Sequence, residues 1–397
     1  MSSVFMRAGP AVLAAALLCV PALAPTRAAA DPVLPPSGGV LYVTNAVSGD
    51  VSSMAIGPRG ELTLMGPPVS TGGCTLERTG PGCTPRGIAV APNGATVYVV
   101  NSDSSTLAVF RVGARGTLQP NPLILDTGKE PWGATLTADG RTLYVTETGD
   151  GTRNGTISAY HIGLDGTPGP RRAFDTNSDH PKQTVLSPDG RSLYLSYADA
   201  EETEESPQRV ITRFAVLPDG SLEEPGQDVA KVGPASYGIT ISPDGGLVYA
   251  TSNIAQNVWG FRVGKDGSLT PVPGLRPFVP DAVGLKVTPD GQHLYVCANF
   301  DTDAPLGGLY GFTIRADGSL TPTADSPVPS FGTSSVVITP DGRDAFANVQ
   351  DKNLVHAFAI GSGGRLKEAP GSPFKTGGSR PLFQSLAIRP VPANTPQ

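Results

Sequence analysis

Short apolar runs alternate with tight polar turns along the whole chain, and the same order returns again and again. A run of the Leu-Tyr-Val-Thr-Asn type carries one aromatic at Tyr42, Tyr98, Tyr144, Tyr194, Tyr249, Tyr295 and Phe346, spaced 46 to 56 residues apart. Each interval predicts four strands. A short apolar strand such as Gly87-Ile88-Ala89-Val90 leads into a turn of the Pro92-Asn93-Gly94 or Pro188-Asp189-Gly190 kind. There Pro presets one φ, Asp or Asn tolerates the bend, and Gly takes positive φ. The Tyr-bearing strand follows. A polar loop then opens a third, alternating strand, such as Thr106-Leu107-Ala108-Val109-Phe110-Arg111-Val112. A second Gly turn (Asp219-Gly220-Ser221-Leu222, Asp266-Gly267-Ser268-Leu269, Asp317-Gly318-Ser319-Leu320) precedes a looser fourth strand.

Seven four-stranded antiparallel units of even length predict an all-β, seven-bladed β-propeller, because one sheet cannot bury both faces alone and a ring of sheets can. The two ends of the pattern agree. The first Tyr-bearing run, Leu41-Tyr42-Val43-Thr44-Asn45, has no strand before it, and a spare one, Ser385-Leu386-Ala387-Ile388, remains at the end. The last strand is therefore expected to complete the first blade and remove a sheet edge.

Composition changes this picture little. Gly (49) and Pro (40) are frequent among the 397 residues, as the turns demand, and the net charge of −6 is spread out. That excludes a basic nucleic-acid surface. The N-terminus reads differently. Arg7, an apolar run over 11–23 and Ala28-Ala29-Ala30 before Asp31 resemble a secretory signal over 1–30, with Ala22-Leu23-Ala24 a second cleavage candidate. A linker over 31–38, the propeller over 39–390 and a tail over 391–397 complete the expected organisation. No later run is long and apolar enough to span a membrane. The expectation is a secreted monomer, and secretion permits a disulfide between Cys74 and Cys83 in a Gly/Thr/Pro segment, whereas Cys297 reads as a buried hydrophobe. Asp301-Thr302-Asp303 and the loop around Asp150 lack the spacing of a dedicated calcium site, so no metal is expected.

Strand alternation puts both kinds of Gly turn on one end of the ring and the variable loops on the other, where function is expected. The residue five before the Ser of each Ser-Pro-Asp-Gly turn, or its equivalent, should face the central funnel: Arg86, Trp132, Lys182, Tyr237, Val283, Ser334 and Gln384. Two residues earlier stand Thr84, Glu130, His180, Ala235, Asp281, Gly332 and Leu382. The polar members concentrate on three consecutive blades, and Glu147, Asp150 and Arg153 lie in a loop of the same sector. Arg86, Trp132, Arg153, Tyr237 and Asp281 are thus candidate ligand contacts for a small molecule or carbohydrate. In a catalytic reading, His180 is a general base, Glu130 or Glu147 its orienting or acidic partner, and Lys182 with Arg86 the stabilisers of an oxyanion. Wet funnels are also lined by polar residues for solvation alone, and Trp132 either stacks on a sugar ring or packs under its loop.

The runs Leu41-Tyr42-Val43-Thr44-Asn45, Leu143-Tyr144-Val145-Thr146 and Ser187-Pro188-Asp189-Gly190 resemble the YVTN-repeat propellers and the wider lactonase-like propeller family, which includes 6-phosphogluconolactonases and carboxy-muconate cyclases. The resemblance runs over nearly all of 39–390 and implies lactone ring opening or cycloisomerisation without a cofactor. It also implies a Pro-His-x-His approach to the third blade. Here Asp179-His180-Pro181-Lys182 keeps the first His and replaces the second by Lys182. Glu147 stands near the family's Asn-Glu-Leu-Asp-like loop, one place off. Asn253-Ile254-Ala255-Gln256-Asn257 replaces its Arg-Gly-His-Asp-like loop. The alternative is a non-catalytic, ligand-binding or surface-interaction propeller.

Overall fold

The computed structural model describes residues 39–72, 84–149, 153–198, 203, 206, 208–299 and 307–389. Over these residues the chain builds seven antiparallel sheets. Blade one contains Pro85–Val90, Thr96–Asn101, Thr106–Arg111 and Leu123–Asp126, from the axis outward. Blades two to six repeat it, with innermost strands Pro131–Leu136, Pro181–Leu186, Ile239–Ile241, Ala282–Val287 and Thr333–Ile338. Blade seven is shared between the two ends of the pattern. Its innermost strand is Leu386–Arg389, paired antiparallel to Val40–Asn45 with Leu41 opposite Ile388 and Val43 opposite Leu386. The seven-bladed ring and its closure are as the repeats predicted.

The core is not central. It is divided into seven apolar layers, each between neighbouring blades. Tyr98, Leu107, Leu143 and Tyr160 fill the layer between blades one and two, and Leu41, Met54, Phe346 and Val355 that between six and seven. The Tyr of each repeat spans such a layer. Its hydroxyl donates to the carbonyl of the outer Gly turn of the next blade: Tyr42 to Gly116 (2.6 Å), Tyr98 to Gly166 (2.8 Å), Tyr144 to Gly220 (2.8 Å), Tyr194 to Gly267 (2.9 Å), Tyr249 to Gly318 (2.9 Å) and Tyr295 to Gly364 (2.8 Å). Burial raises these phenols above their ordinary pKa, Tyr98 to about 12, so they stay donors at any ordinary pH.

The innermost strands are bulged near their starts. Register breaks between Pro85 and Ile88, Pro181 and Thr184, Ala282 and Leu285, and Thr333 and Val336. A bulge leaves residues out of the ladder and re-aims their side chains, here Arg86, Lys182, Val283 and Ser334. The Thr of the repeat satisfies the freed backbone across the blade boundary. Thr44 donates to the Arg86 carbonyl (3.1 Å), Thr146 to that of Lys182 (2.7 Å) and Thr251 to that of Val283 (2.9 Å). Glycine follows the bulged position where the next blade passes close: a Cβ at Gly87 or Gly133 would lie 2.7 Å from the carbonyl oxygen of Trp132 or Lys182.

The expected signal over 1–30, the 31–38 linker, the 391–397 tail and the Cys74–Cys83 pair lie outside the described residues. Cys297 is fully buried, and burial pushes its thiol up to about 12. No helix among the described residues is long and apolar enough to cross a membrane.

Candidate functional site

At the long-loop end of the axis the structure gathers Arg86, Trp132 and Lys182 from three consecutive blades. The Arg86 guanidinium carbon and the Lys182 Nζ each lie 3.9 Å from the centre of the Trp132 ring. The two cations are therefore at most twice that distance apart. They reach the indole from the blades on either side of it, and each contact contributes about 0.5–2 kcal/mol. Lys182 is 5% exposed. Burial pulls Arg86 down to about 10; Asp103, Tyr237 and Glu130 oppose that shift and Arg380 adds to it, so Arg86 remains charged near neutral pH. Its Nε is buried with no hydrogen-bond partner, and it makes no ion pair among the described residues. A positive pair held in low dielectric is a ready site for an anion or a developing negative charge.

Beneath this pair lies an aromatic layer. Tyr237 and Phe383 stack at 5.2 Å and 5°, and Trp132 lies 6.0 Å from Phe383 and 6.2 Å from Tyr237. Phe383 was not among the sequence candidates, because strict counting puts Gln384 at the funnel position. Gln384 has a left-handed backbone (φ 56°), and it and Phe383 both line the axial cavity. Two non-Gly residues with positive φ close together, Arg380 and Gln384, mark a segment in which the simple count breaks down. Trp132 stands between two cations, Arg86 and Lys182.

The axial channel continues below Tyr237 and Phe383 as a cavity of about 440 Å³, reaching the turns at Thr137-Ala138 and Ser187-Pro188. This cavity thus lies on the turn side of the aromatic layer, and Arg86, Trp132 and Lys182, which do not line it, stand on the loop side.

His180 precedes Lys182 by two residues and is about a quarter exposed, with its Nδ1 2.8 Å from Asp179 Oδ1. Burial raises the Asp179 carboxyl, but the hydrogen bond and charge of His180 outweigh it and the net direction is down. A carboxylate beside an imidazole orients the ring. Asp179, and neither Glu130 nor Glu147, is the carboxylate that the structure places beside the His180 ring. Glu147 has another task. Its buried carboxylate takes Arg171 (2.6 Å), the Thr156 hydroxyl (2.6 Å) and the Gly128 amide (2.7 Å). Glu147 occupies the place of Asn45 and Asn101 in the Tyr-Val-Thr-Asn run, and Asn45 likewise ties its strand to the next through Asp50 and Ser52. That position was the sequence signal for a structural role. Glu130 is exposed, with φ 44°, and its carboxylate lies 3.7 Å from Lys129.

The remaining candidates do not join the cluster. Arg153 is exposed on its loop. Asp281 lies across the ring, 3.5 Å from Asn253, and burial raises its carboxyl. Val283 and Ser334 are buried at the axis. Of the other histidines, His356 is buried and lies 2.9 Å from Glu368, His293 is buried beside the turn of Asp290, and His161 is exposed. The described residues contain no group of three or more His, Cys, Asp or Glu placed to hold a metal.

Comparison with known proteins agrees with this architecture. The family model for lactonase, 7-bladed beta-propeller, matches residues 74–205. No curated protein matches the chain. Among solved structures, a putative 6-phosphogluconolactonase from Bacteroides fragilis is 19% identical with a TM-score of 0.69, over 89% of this chain and 98% of that one. The periplasmic gluconolactonase of Pseudomonas aeruginosa is 19% identical with a TM-score of 0.66, over 90% and 100%. A virginiamycin B lyase from Staphylococcus aureus, solved as a catalytically inactive variant with quinupristin, is 18% identical with a TM-score of 0.52, over 79% and 94%. The chain is a seven-bladed β-propeller with the fold of these proteins, and the stretch that the lactonase family model matches is the one that carries Arg86, Trp132, His180 and Lys182.

Proposed function

We propose that this is a secreted hydrolase that opens a small extracellular lactone at the long-loop end of the axis. The observation that carries the reading is the Arg86–Trp132–Lys182 stack, two cations held by one indole at a funnel mouth, next to a histidine already paired with a carboxylate. The lactone carbonyl oxygen is directed toward the two cations. His180, with Asp179 beside its Nδ1, takes a proton from water as the water oxygen bonds to the carbonyl carbon. Arg86 and Lys182 stabilise the resulting oxyanion, where preorganised charge lowers a barrier most. Collapse of that intermediate breaks the ring C–O bond, and the leaving alkoxide recovers the proton from His180. No redox cofactor or metal enters the scheme.

A panel of sugar, aliphatic and aromatic lactones against the purified protein tests this. His180→Ala is expected to lower kcat by about two to four orders of magnitude, and Lys182→Met by about two to three. Turnover of no lactone, or wild-type activity in His180→Ala, overturns the hydrolase reading. Binding of lactones or hydroxy acids that is lost in Arg86→Met, without turnover, instead establishes a ligand-binding propeller.

A further inference from the structure

The channel on the turn side of the aromatic layer contains one charged side chain among its lining residues, Lys286. Lys286 sits in the middle of the innermost strand of blade five, between Leu285 (4% exposed) and Val287 (5% exposed), yet it is itself exposed. The water it meets is therefore channel water, within a cavity walled by the innermost strands of all seven blades and capped by Tyr237 and Phe383. Protein surrounds the ammonium closely enough that desolvation pulls its pKa below the ordinary lysine range. No Asp or Glu lines this channel, and Lys286 has no ion-pair or hydrogen-bond partner among the described residues.

An uncompensated charge in a confined channel is costly, and a counter-ion relieves that cost. The rest of the lining defines which one. Gln183, whose Oε1 accepts from the Ile239 amide (3.3 Å), keeps its amide nitrogen for another partner. Thr135, Thr240 and Ser335 add hydroxyls, and Leu136 and Leu186 add apolar wall. A donor set with one cation and an apolar wall suits a single carboxylate on a short apolar body. Divalent or strongly hydrated anions would leave most of their charge unmet.

We propose that the axial channel is a second site, separate from the Arg86–Trp132–Lys182 mouth, that binds a small monocarboxylate with Lys286 as its counter-charge. It does not depend on the hydrolase reading. The two sites lie on opposite sides of the Tyr237–Phe383 layer, so the acid produced by a lactonase at the mouth would not reach Lys286 without displacement of that layer.

Benzoate and butyrate are the probes, followed by calorimetry and by thermal unfolding of the full protein, with Lys286→Met, Lys286→Gln and Arg86→Met variants. Benzoate at ten times its Kd is expected to raise the wild-type Tm by a few degrees. Lys286→Met and Lys286→Gln should each weaken binding at least tenfold, whereas Arg86→Met should leave it within twofold. Removal of an unpaired charge should leave both Lys286 variants folded, and the Gln variant keeps a polar group of similar reach in the channel. Failure of both carboxylates to bind wild type, equal affinity in the Lys286 variants, or loss of binding in Arg86→Met each overturns the proposal. The last outcome would put the carboxylate at the mouth and leave the hydrolase reading untouched.

Discussion

Six of the seven junctions between blades carry the same tyrosine latch; the junction between blades six and seven does not. There the repeat aromatic is Phe346, which fills the apolar layer but has no hydroxyl. The residue two places before it also differs. Thr96 and Thr142 lie against the next blade's outer Gly turn, at Gly166 and Gly220, where Asp344 lies against Gly60. Burial raises the Asp344 carboxyl to about 6, with Asp341 and Glu61 adding to the shift and Arg343 opposing it. The opposite flank of blade seven is reinforced. Tyr42 latches onto Gly116, and Arg389 donates from Nε to the Gly94 carbonyl (2.8 Å). The blade that joins the two ends of the pattern is thus held firmly to blade one and weakly to blade six. A ring must open at one junction first, and this contrast names it.

The strongest way to break the comparison is to remove the clasp itself. Truncation after Gln384 deletes Leu386, Ile388 and the Arg389 contact and uncovers Leu41 and Val43, all of which pack in one layer. Loss of buried Leu386 and half-buried Ile388 alone costs about 2–5 kcal/mol, and the exposed edge of Val40–Asn45 adds a hazard of intermolecular pairing. The truncated protein is expected to unfold at a markedly lower urea concentration and to aggregate on refolding. A midpoint like that of the full chain would show that the strand is not needed for closure.

Asp344 gives a second, smaller test with a definite sign. Its folded pKa, about 6, is above the ordinary carboxylate value of 3.8. The folded state therefore binds the proton more tightly, and stability falls as pH rises between those values. The cost is fully present above about pH 6 and absent below about pH 4. Two pH units correspond to about 3 kcal/mol, and partial exposure reduces this to about 1–2 kcal/mol. Asp344→Asn is expected to be the more stable protein at pH 7 by that amount, with the advantage shrinking toward pH 4. A pH-independent difference between the two proteins would remove Asp344 as the source of weakness.

The sequence made the ring legible because each blade repeats the same short grammar, and repetition averages out local exceptions. Tyr98, Pro188-Asp189-Gly190 and Ser385-Leu386-Ala387-Ile388 each point to one structure. The site is built from departures from that grammar, which no repeat reinforces. Counting positions found Arg86, Trp132 and Lys182 because the bulges that project them recur from blade to blade. It missed Phe383, which reaches the axis alongside the counted position, Gln384. It read Glu147 as chemistry because a carboxylate in a loop draws attention, although the repeat position marks it as a strand tie. The channel Lys286 was hidden by the alternation itself, which distinguishes in from out but not the axis from the blade face.

The smallest expected effect is the most discriminating. The outer turn of blade seven has the hydrogen bonds of its latched counterparts: the Gly57 amide donates to the Glu61 carbonyl and Gly60 to Gly57, as Gly113 donates to Thr117 and Gly116 to Gly113. Gly60 and Gly116 share positive φ, 79° and 89°. The acceptor a latch requires is thus formed by a turn of the same kind, and only the donor is missing. Phe346→Tyr supplies it in a layer where Tyr is the rule. A buried neutral hydrogen bond contributes about 1 kcal/mol, so the variant should gain about that much stability, and Tyr194→Phe should lose a similar or larger amount because the Gly267 carbonyl is left without its donor. Hydrogen exchange sharpens the reading. In the wild type, amides of Val40–Asn45 and Leu354–Ile360 should exchange faster than the corresponding strands of blades two and three, and Phe346→Tyr should slow them selectively. A destabilised Phe346→Tyr, or equal protection at all seven junctions, would mean that the missing hydroxyl is offset by the surrounding packing and that the ring has no preferred point of opening.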